Sequence, residues 1–172
     1  RQDRLHLARG VMSGDPVTLA TSAGSVSVSS TGIIAYRAAA GAQLPTTWFD
    51  RSGVALNSVG VSMNGPELST DGRRLTGDRT IDGNRDVWVA DLVRGGLTRM
   101  TTHPAIDGFP IWSPVGEQIA FHSNRNGTID LWIKPSNPAG EEEQLLGGPD
   151  SEWPIDWSKD GRFLLYQRSD LN

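Results

Sequence analysis

Three pairs of residues recur at one spacing. Gly32 and Trp48, Gly72 and Trp88, and Gly116 and Trp132 are each 16 positions apart, and Ser29, Ser69 and Ser113 each stand three residues before their Gly. A turn glycine tied to a large aromatic at a fixed offset, repeated along the chain, marks a protein built from one supersecondary unit stacked on copies of itself. A fourth copy opens at Ser158, Lys159, Asp160 and Gly161 and runs into the apolar stretch 163–166, and its Trp position lies beyond Asn172.

Each period reads as four short strands. In the first they fall at 25–29, 33–37, 47–50 and 54–59, and in the second at 67–68, 73–77, 86–91 and 97–101, with turn signals at 70–72, 82–84 and 94–96. Ile33, Ile34, Ala35 and Tyr36, like Val87, Trp88 and Val89 and like Phe163, Leu164, Leu165 and Tyr166, are apolar at consecutive positions, as expected of strands covered on both faces. The last strand of each repeat is more polar, as suits an outer edge facing water. No segment holds a helical period, so a βαβ fold would lack its crossovers.

The expectation is an all-β partial β-propeller forming a single domain over 1–172. Its repeats lie at about 24–60, 61–104 and 105–148, with partial blades at 1–23 and 149–172. Residues 17–20 read as the last strand of a blade begun elsewhere. Three full blades and a split terminal one leave open edges, so the ring is expected to close by homodimerisation, one chain's ends completing the other's blade.

Composition narrows the function classes. A net charge of −4 argues against a nucleic-acid backbone binder. No apolar run is long enough to span a bilayer, which points to a soluble protein of a bacterial cytoplasm or periplasm. The chain has no Cys, which removes disulfides, thiolate zinc sites and a cysteine nucleophile. The run Glu141, Glu142, Glu143 reads as a solvated edge.

The segments SGDPVTLA (13–20), SVSVSSTGIIAYR (25–37), TWFDRSG (47–53), NRDVWVADLVRG (84–95), FPIWSPVGEQIAFHSNRNGTIDLW (109–132) and DWSKDGRFLLY (156–166) resemble the TolB-type, WD-repeat-like β-propellers, particularly those found C-terminal to bacterial serine/threonine kinase domains. The resemblance implies a propeller, generally of six or more blades, serving as a sensor, scaffold or protein-binding platform without catalysis. The sequence departs from that family where Val115 takes the usual turn Asp and where Thr76 and Gly77 interrupt an otherwise apolar strand. No Gly-rich kinase loop, HRD or DFG occurs.

Candidate chemistry is sparse. Trp48, Trp88 and Trp132 read as blade packing, with indole N–H groups satisfied locally, while Trp112 and Trp153 stand near inner-strand starts as channel wall or binding surface. There is no GxSxG elbow and no HExxH, and His122 reads as a blade-face residue. The loops leading into inner strands ring one mouth of a propeller channel, and they carry Asn64, His103, Asp107, Asp150 and Glu152. These are the candidate binding residues for a protein or small molecule. His103 with Asp107 is the candidate pair for a divalent metal. A non-catalytic binding or scaffold module from a sensor-type protein is the leading reading. The alternative is a metal-dependent hydrolase of lactones, esters or phosphotriesters acting at the channel.

Overall fold

The computed structural model describes residues 46–169 together with four earlier strand segments, β1 (Leu5–His6), β2 (Val11–Met12), β3 (Ala23–Val28) and β4 (Ile34–Ala38). The strand expected at 17–20 lies outside the described residues. The first full blade combines β3 and β4 with β5 (Thr47–Phe49) and β6 (Ala55–Ser58). The second is β7 (Asn64–Leu68), β8 (Arg74–Ile81), β9 (Asn84–Asp91) and β10 (Leu97–Arg99). The third is β11 (Asp107–Trp112), β12 (Gln118–Ser123), β13 (Asp130–Pro135) and β14 (Glu143–Leu146). β15 (Ser151–Trp157) and β16 (Leu164–Ser169) form a two-stranded half-blade, and among the described residues β1 pairs only with β2. Every pairing is antiparallel and sequential.

The repeat is therefore structural. Trp48, Trp88 and Trp132 occupy the third strand of their blades, opposite Ala35, Gly77 and Phe121 of the second strand. The serine-to-glycine turn that precedes each second strand is built the same way in the three described copies. Ser69, Ser113 and Ser158 N–H groups donate to the carbonyls of Arg74, Gln118 and Phe163 at 2.8–2.9 Å, and Gly72, Gly116 and Gly161 sit at φ 68–71°, a left-handed conformation that glycine adopts at little cost. In two copies an Asp locks the turn: Ser69 Oγ donates to Asp71 at 2.6 Å and Ser158 Oγ to Asp160 at 2.6 Å. Val115 leaves the third copy without that lock.

Inner strands β3, β7, β11 and β15 stand side by side, so the core lies between blades. One cluster joins Val87, Val89 and Met100 of blade two to Trp112, Ile119 and Phe121 of blade three, with Trp132 against it. A second gathers Met63, Leu68, Leu75 and Ala90 with Trp48 of blade one. Fully buried side chains such as Phe121 and Leu75 each contribute about 2–3 kcal/mol. The Thr76-Gly77 departure has a packing reason. Thr76 Oγ1 donates to the Trp88 carbonyl at 3.0 Å, and a Cβ on Gly77 would stand 2.6 Å from Met63 Cβ.

Three expectations need correction. Among the described residues the buried indole Nε1 atoms of Trp88 and Trp132 have no hydrogen-bond partner; the rings serve packing, under the guanidiniums of Arg79 and Arg125 at 5.4 and 4.1 Å from the ring centroids. Glu142, the middle of the acidic run, turns inward to Arg125 at 2.6 Å, while Glu141 and Glu143 stay exposed. The apolar run 163–166 is not covered on both faces. Phe163 and Leu165 are 62% and 61% exposed, because among the described residues β15 has a blade on one side and β16 pairs with β15 alone.

Candidate functional site at the rim of the arc

The rim is assembled where first strands start and where second and third strands turn. Asn64 opens β7, and its side-chain amide donates to Asp78 at 3.1 Å. Asp78, wholly buried, also accepts from Arg85 Nε and Nη2 at 2.6 and 2.8 Å and from the Phe109 N–H at 3.3 Å. One carboxylate thus holds the tip of blade two and the start of β11. A bidentate guanidinium suits such a site, because it returns two charge-assisted bonds to an acid removed from water.

Blade three repeats the device with a different acid. Asp107, also wholly buried, takes Arg125 Nη2 on both oxygens at 3.0 and 3.1 Å. Arg125 further donates to Ser123 Oγ at 2.9 Å and to Glu142 at 2.6 Å. Lys134 follows Glu142 at 3.8 Å and donates to the Met100 carbonyl, and burial pushes its pKa down.

The half-blade completes the set. Arg168 meets Asp150 at 2.5 Å and approaches Glu152 at 3.6 Å. Glu152 is 1% exposed, and among the described residues neither of its oxygens accepts a hydrogen bond. Burial raises its pKa, Arg168 opposes this, and Asp130 and Asp150 add to it. His103 is exposed; its Nδ1 accepts from the Ala105 N–H at 3.1 Å and its carbonyl accepts from Asn84 at 2.9 Å.

The five residues singled out from sequence thus reach the rim in separate networks. Asp150 and Glu152 meet at Arg168, Asn64 belongs to Asp78, Asp107 belongs to Arg125, and His103 joins none of them. His103 and Asp107, singled out for a metal, are engaged separately, and among the described residues no three His, Asp or Glu side chains gather in a metal-holding arrangement.

Sequence reading passed over Phe109 and took His122 only as a blade-face residue, which its place in β12 bears out. Phe109 is 47% exposed at φ 48°, a conformation costly for a bulky residue. Its ring stands 5.1 Å from that of His122, with the Arg85 guanidinium 5.3 Å away. His122 is buried, its Nδ1 has no partner among the described residues, and burial together with Arg85 holds its pKa down at about 4 against the pull of Asp78. A Cβ on Gly108 would stand 3.0 Å from the Arg85 guanidinium, so a larger residue there would press on the Asp78–Arg85 pair. One signal was available: the dipeptide Asn-Arg recurs at 84–85 and 124–125, and both arginines anchor buried rim acids.

Fold and rim together define a β-propeller arc whose polar face is assembled from paired acids and arginines. The chain belongs to the TolB beta propeller domain family, whose model matches residues 50–172. It is 30% identical over 105 residues to the Tol-Pal system protein TolB of Helicobacter pylori, a match covering 61% of this chain and 25% of that protein. The chain spans about a quarter of the length of the curated relatives it matches. Among solved structures, TolB from Acinetobacter baumannii superposes at a TM-score of 0.73 with 22% identity, covering 83% of this chain and 36% of that one. An oligogalacturonate lyase from Vibrio parahaemolyticus shares the fold at a TM-score of 0.62 and 14% identity, over 83% of this chain and 45% of its own. No helix among the described residues is long and apolar enough to cross a membrane.

Proposed function

We propose that the chain is a non-catalytic binding module whose docking surface for a protein is the rim around Phe109. The observation that carries this reading is Phe109 itself, a half-exposed aromatic held at φ 48° beside Arg85 and His122. Backbone strain of this kind persists where surrounding structure over-determines it, and a rigid exposed aromatic is the usual anchor of a protein interface. The acids nearby support docking over hydrolysis, because both oxygens of Asp107 are committed to Arg125 and those of Asp78 to Arg85, Asn64 and Phe109.

Peptides selected on the immobilised protein from a random library test this. Binders are expected to lose about tenfold or more in affinity to Phe109→Ala and nothing to Phe163→Ala. Equal loss in both variants sinks the Phe109 rim. Chelator-sensitive turnover of an ester, lactone or phosphotriester that disappears in His103→Ala and Asp107→Ala would replace this reading with the hydrolase.

A further inference from the structure

The face away from the rim has an opening of its own. In the β8–β9 ladder Thr80 pairs with Arg85 at the rim, and Arg74 pairs with Asp91 at the other end. Between the turns at that end and the outer strands of blade one lies a cleft of about 560 Å³. Trp48, Val59 and Val61 wall it from blade one, and Leu92, Val93 and Leu97 from blade two.

The walls are apolar and firmly backed. All of these side chains except Val93 pack against the buried cluster of Met63, Leu68, Leu75 and Ala90, so the cleft is shaped by the core beneath it. Val93 stands at the lip, 60% exposed. The volume falls within the roughly 300–1,000 Å³ of small-molecule sites, where an apolar wall takes the body of a ligand and a few polar groups fix its orientation.

Charge points to the head group. A recess of about 330 Å³ adjoins the cleft and shares Asp91 and Val93 with it; Asp71, Arg73, Arg74 and Arg94 complete its lining. Three arginines thus meet two acids, and the acids are turned inward. Asp71 Oδ1 accepts from Ser69 Oγ at 2.6 Å and from the Arg73 N–H at 3.0 Å. Asp91 Oδ1 accepts from the N–H groups of Val93 and Arg94 at 2.9 and 2.8 Å. Arg74 is engaged with the Gly116 carbonyl at 2.7 Å and Ser136 Oγ at 3.1 Å. Arg73 and Arg94 are exposed, and among the described residues their guanidiniums donate no hydrogen bond. Each turn therefore uses its acid to fold and leaves its arginine to the recess. A guanidinium offers paired donors that match a carboxylate.

We infer that the cleft between blades one and two binds a small anionic amphiphile, with an apolar body of ring size against Trp48 and a carboxylate head on Arg73 and Arg94. This site is separate from the rim at Phe109 and takes a different class of ligand.

Titration calorimetry at low ionic strength, with 1-naphthoate as the probe, tests this. The intact chain is expected to take up one naphthoate with a Kd below about 1 mM. The neutral 1-naphthalenemethanol, which keeps the ring, and acetate, which keeps the head, are each expected to bind at least about tenfold more weakly. Arg73→Glu and Arg94→Glu change exposed side chains, so far-ultraviolet circular dichroism stays as it was while naphthoate affinity falls about tenfold or more. Arg162→Glu, whose guanidinium stacks over Phe163 in the half-blade, is expected to change affinity by less than about twofold. Nuclear Overhauser contacts are expected between the naphthoate ring and the Trp48 indole. Absence of binding to the intact chain, or equal affinity for the neutral alcohol, overturns the anionic site. An equal loss in Arg162→Glu would reduce the effect to general attraction of charge, and ring contacts to Phe109 or Phe163 in place of Trp48 would move the ligand out of the cleft; either result overturns the assignment.

Discussion

Trp112 and Glu67 are joined twice across the boundary between blades two and three: the indole Nε1 donates to the Glu67 carbonyl at 3.1 Å and the Trp112 N–H donates to the Glu67 carboxyl at 3.0 Å. Trp112 is only 3% exposed, so of the two roles open to it from sequence it takes that of wall. Beside it, Arg74 stacks 4.5 Å from the Trp112 ring centroid and donates to the Gly116 carbonyl at 2.7 Å. The blades are therefore fastened by directional bonds as well as by the apolar cluster between them.

Glu67 makes stability depend on pH. Burial raises its pKa to about 8, the Trp112 N–H opposes this, and Asp156 adds to it. The folded protein keeps the proton where the unfolded chain has lost it, so this contribution is full below about 4.5 and is lost as pH rises through about 8. His122 acts in the opposite sense. Its folded pKa of about 4 lies below the ordinary 6.5, so it lowers stability as pH falls from 6.5 toward 4. Between pH 6.5 and 8 only Glu67 of the two titrates. Scanning calorimetry is expected to show Tm falling across that interval, and Glu67→Gln is expected to flatten the slope.

Asp78→Asn strips Arg85 of its buried acid. The variant is expected to lose about 3 kcal/mol, since removing one partner of a buried pair leaves the other's charge uncompensated. Urea unfolding should show a lower midpoint with an unchanged m value. A loss under about 1 kcal/mol would mean that water replaces the acid without penalty.

Gly77→Ala sets a methyl against Met63. With 2.6 Å between the new Cβ and Met63 Cβ, the substitution is expected to cost about 1–3 kcal/mol. Met63→Ala leaves its own Cβ in place and clears the sulfur, which stands 3.0 Å from the same point, so the double variant should be less destabilised than the two single losses added together. Strict additivity in a thermal double-mutant cycle would show that the contact relaxes elsewhere.

Val115→Asp gives the third copy the turn lock made by Asp71 and Asp160 in two others. In those copies the Asp accepts from the serine hydroxyl and from the N–H two residues on, as Asp71 does from Ser69 at 2.6 Å and Arg73 at 3.0 Å. Val115 is 76% exposed, so nothing is displaced. A gain of about 0.5–1 kcal/mol is expected, read as a rise in Tm.

Strand partition, turn chemistry and the third-strand tryptophans were legible in the amino acids, because each depends on neighbours a few residues away. The period locates Trp48, Trp88 and Trp132 without knowledge of what they touch. The serine-to-glycine turn is likewise local, closed by hydrogen bonds that span six residues.

The pairings at the rim were decided only by the tertiary structure. Nothing near Arg85 or Arg125 in the sequence says that one will serve Asp78 across a hairpin and the other Asp107 from a separate strand. Nor does the acidic run show that Glu142 alone turns inward, or the motif around Glu152 that its carboxylate is enclosed without a donor. Those outcomes depend on strand register, on the angle between blades and on how many blades lie alongside. Local hydrogen bonds and hydrophobic periodicity select the strands, but the partners of a buried charge are chosen by whichever chain segments the closed packing brings within about 3 Å.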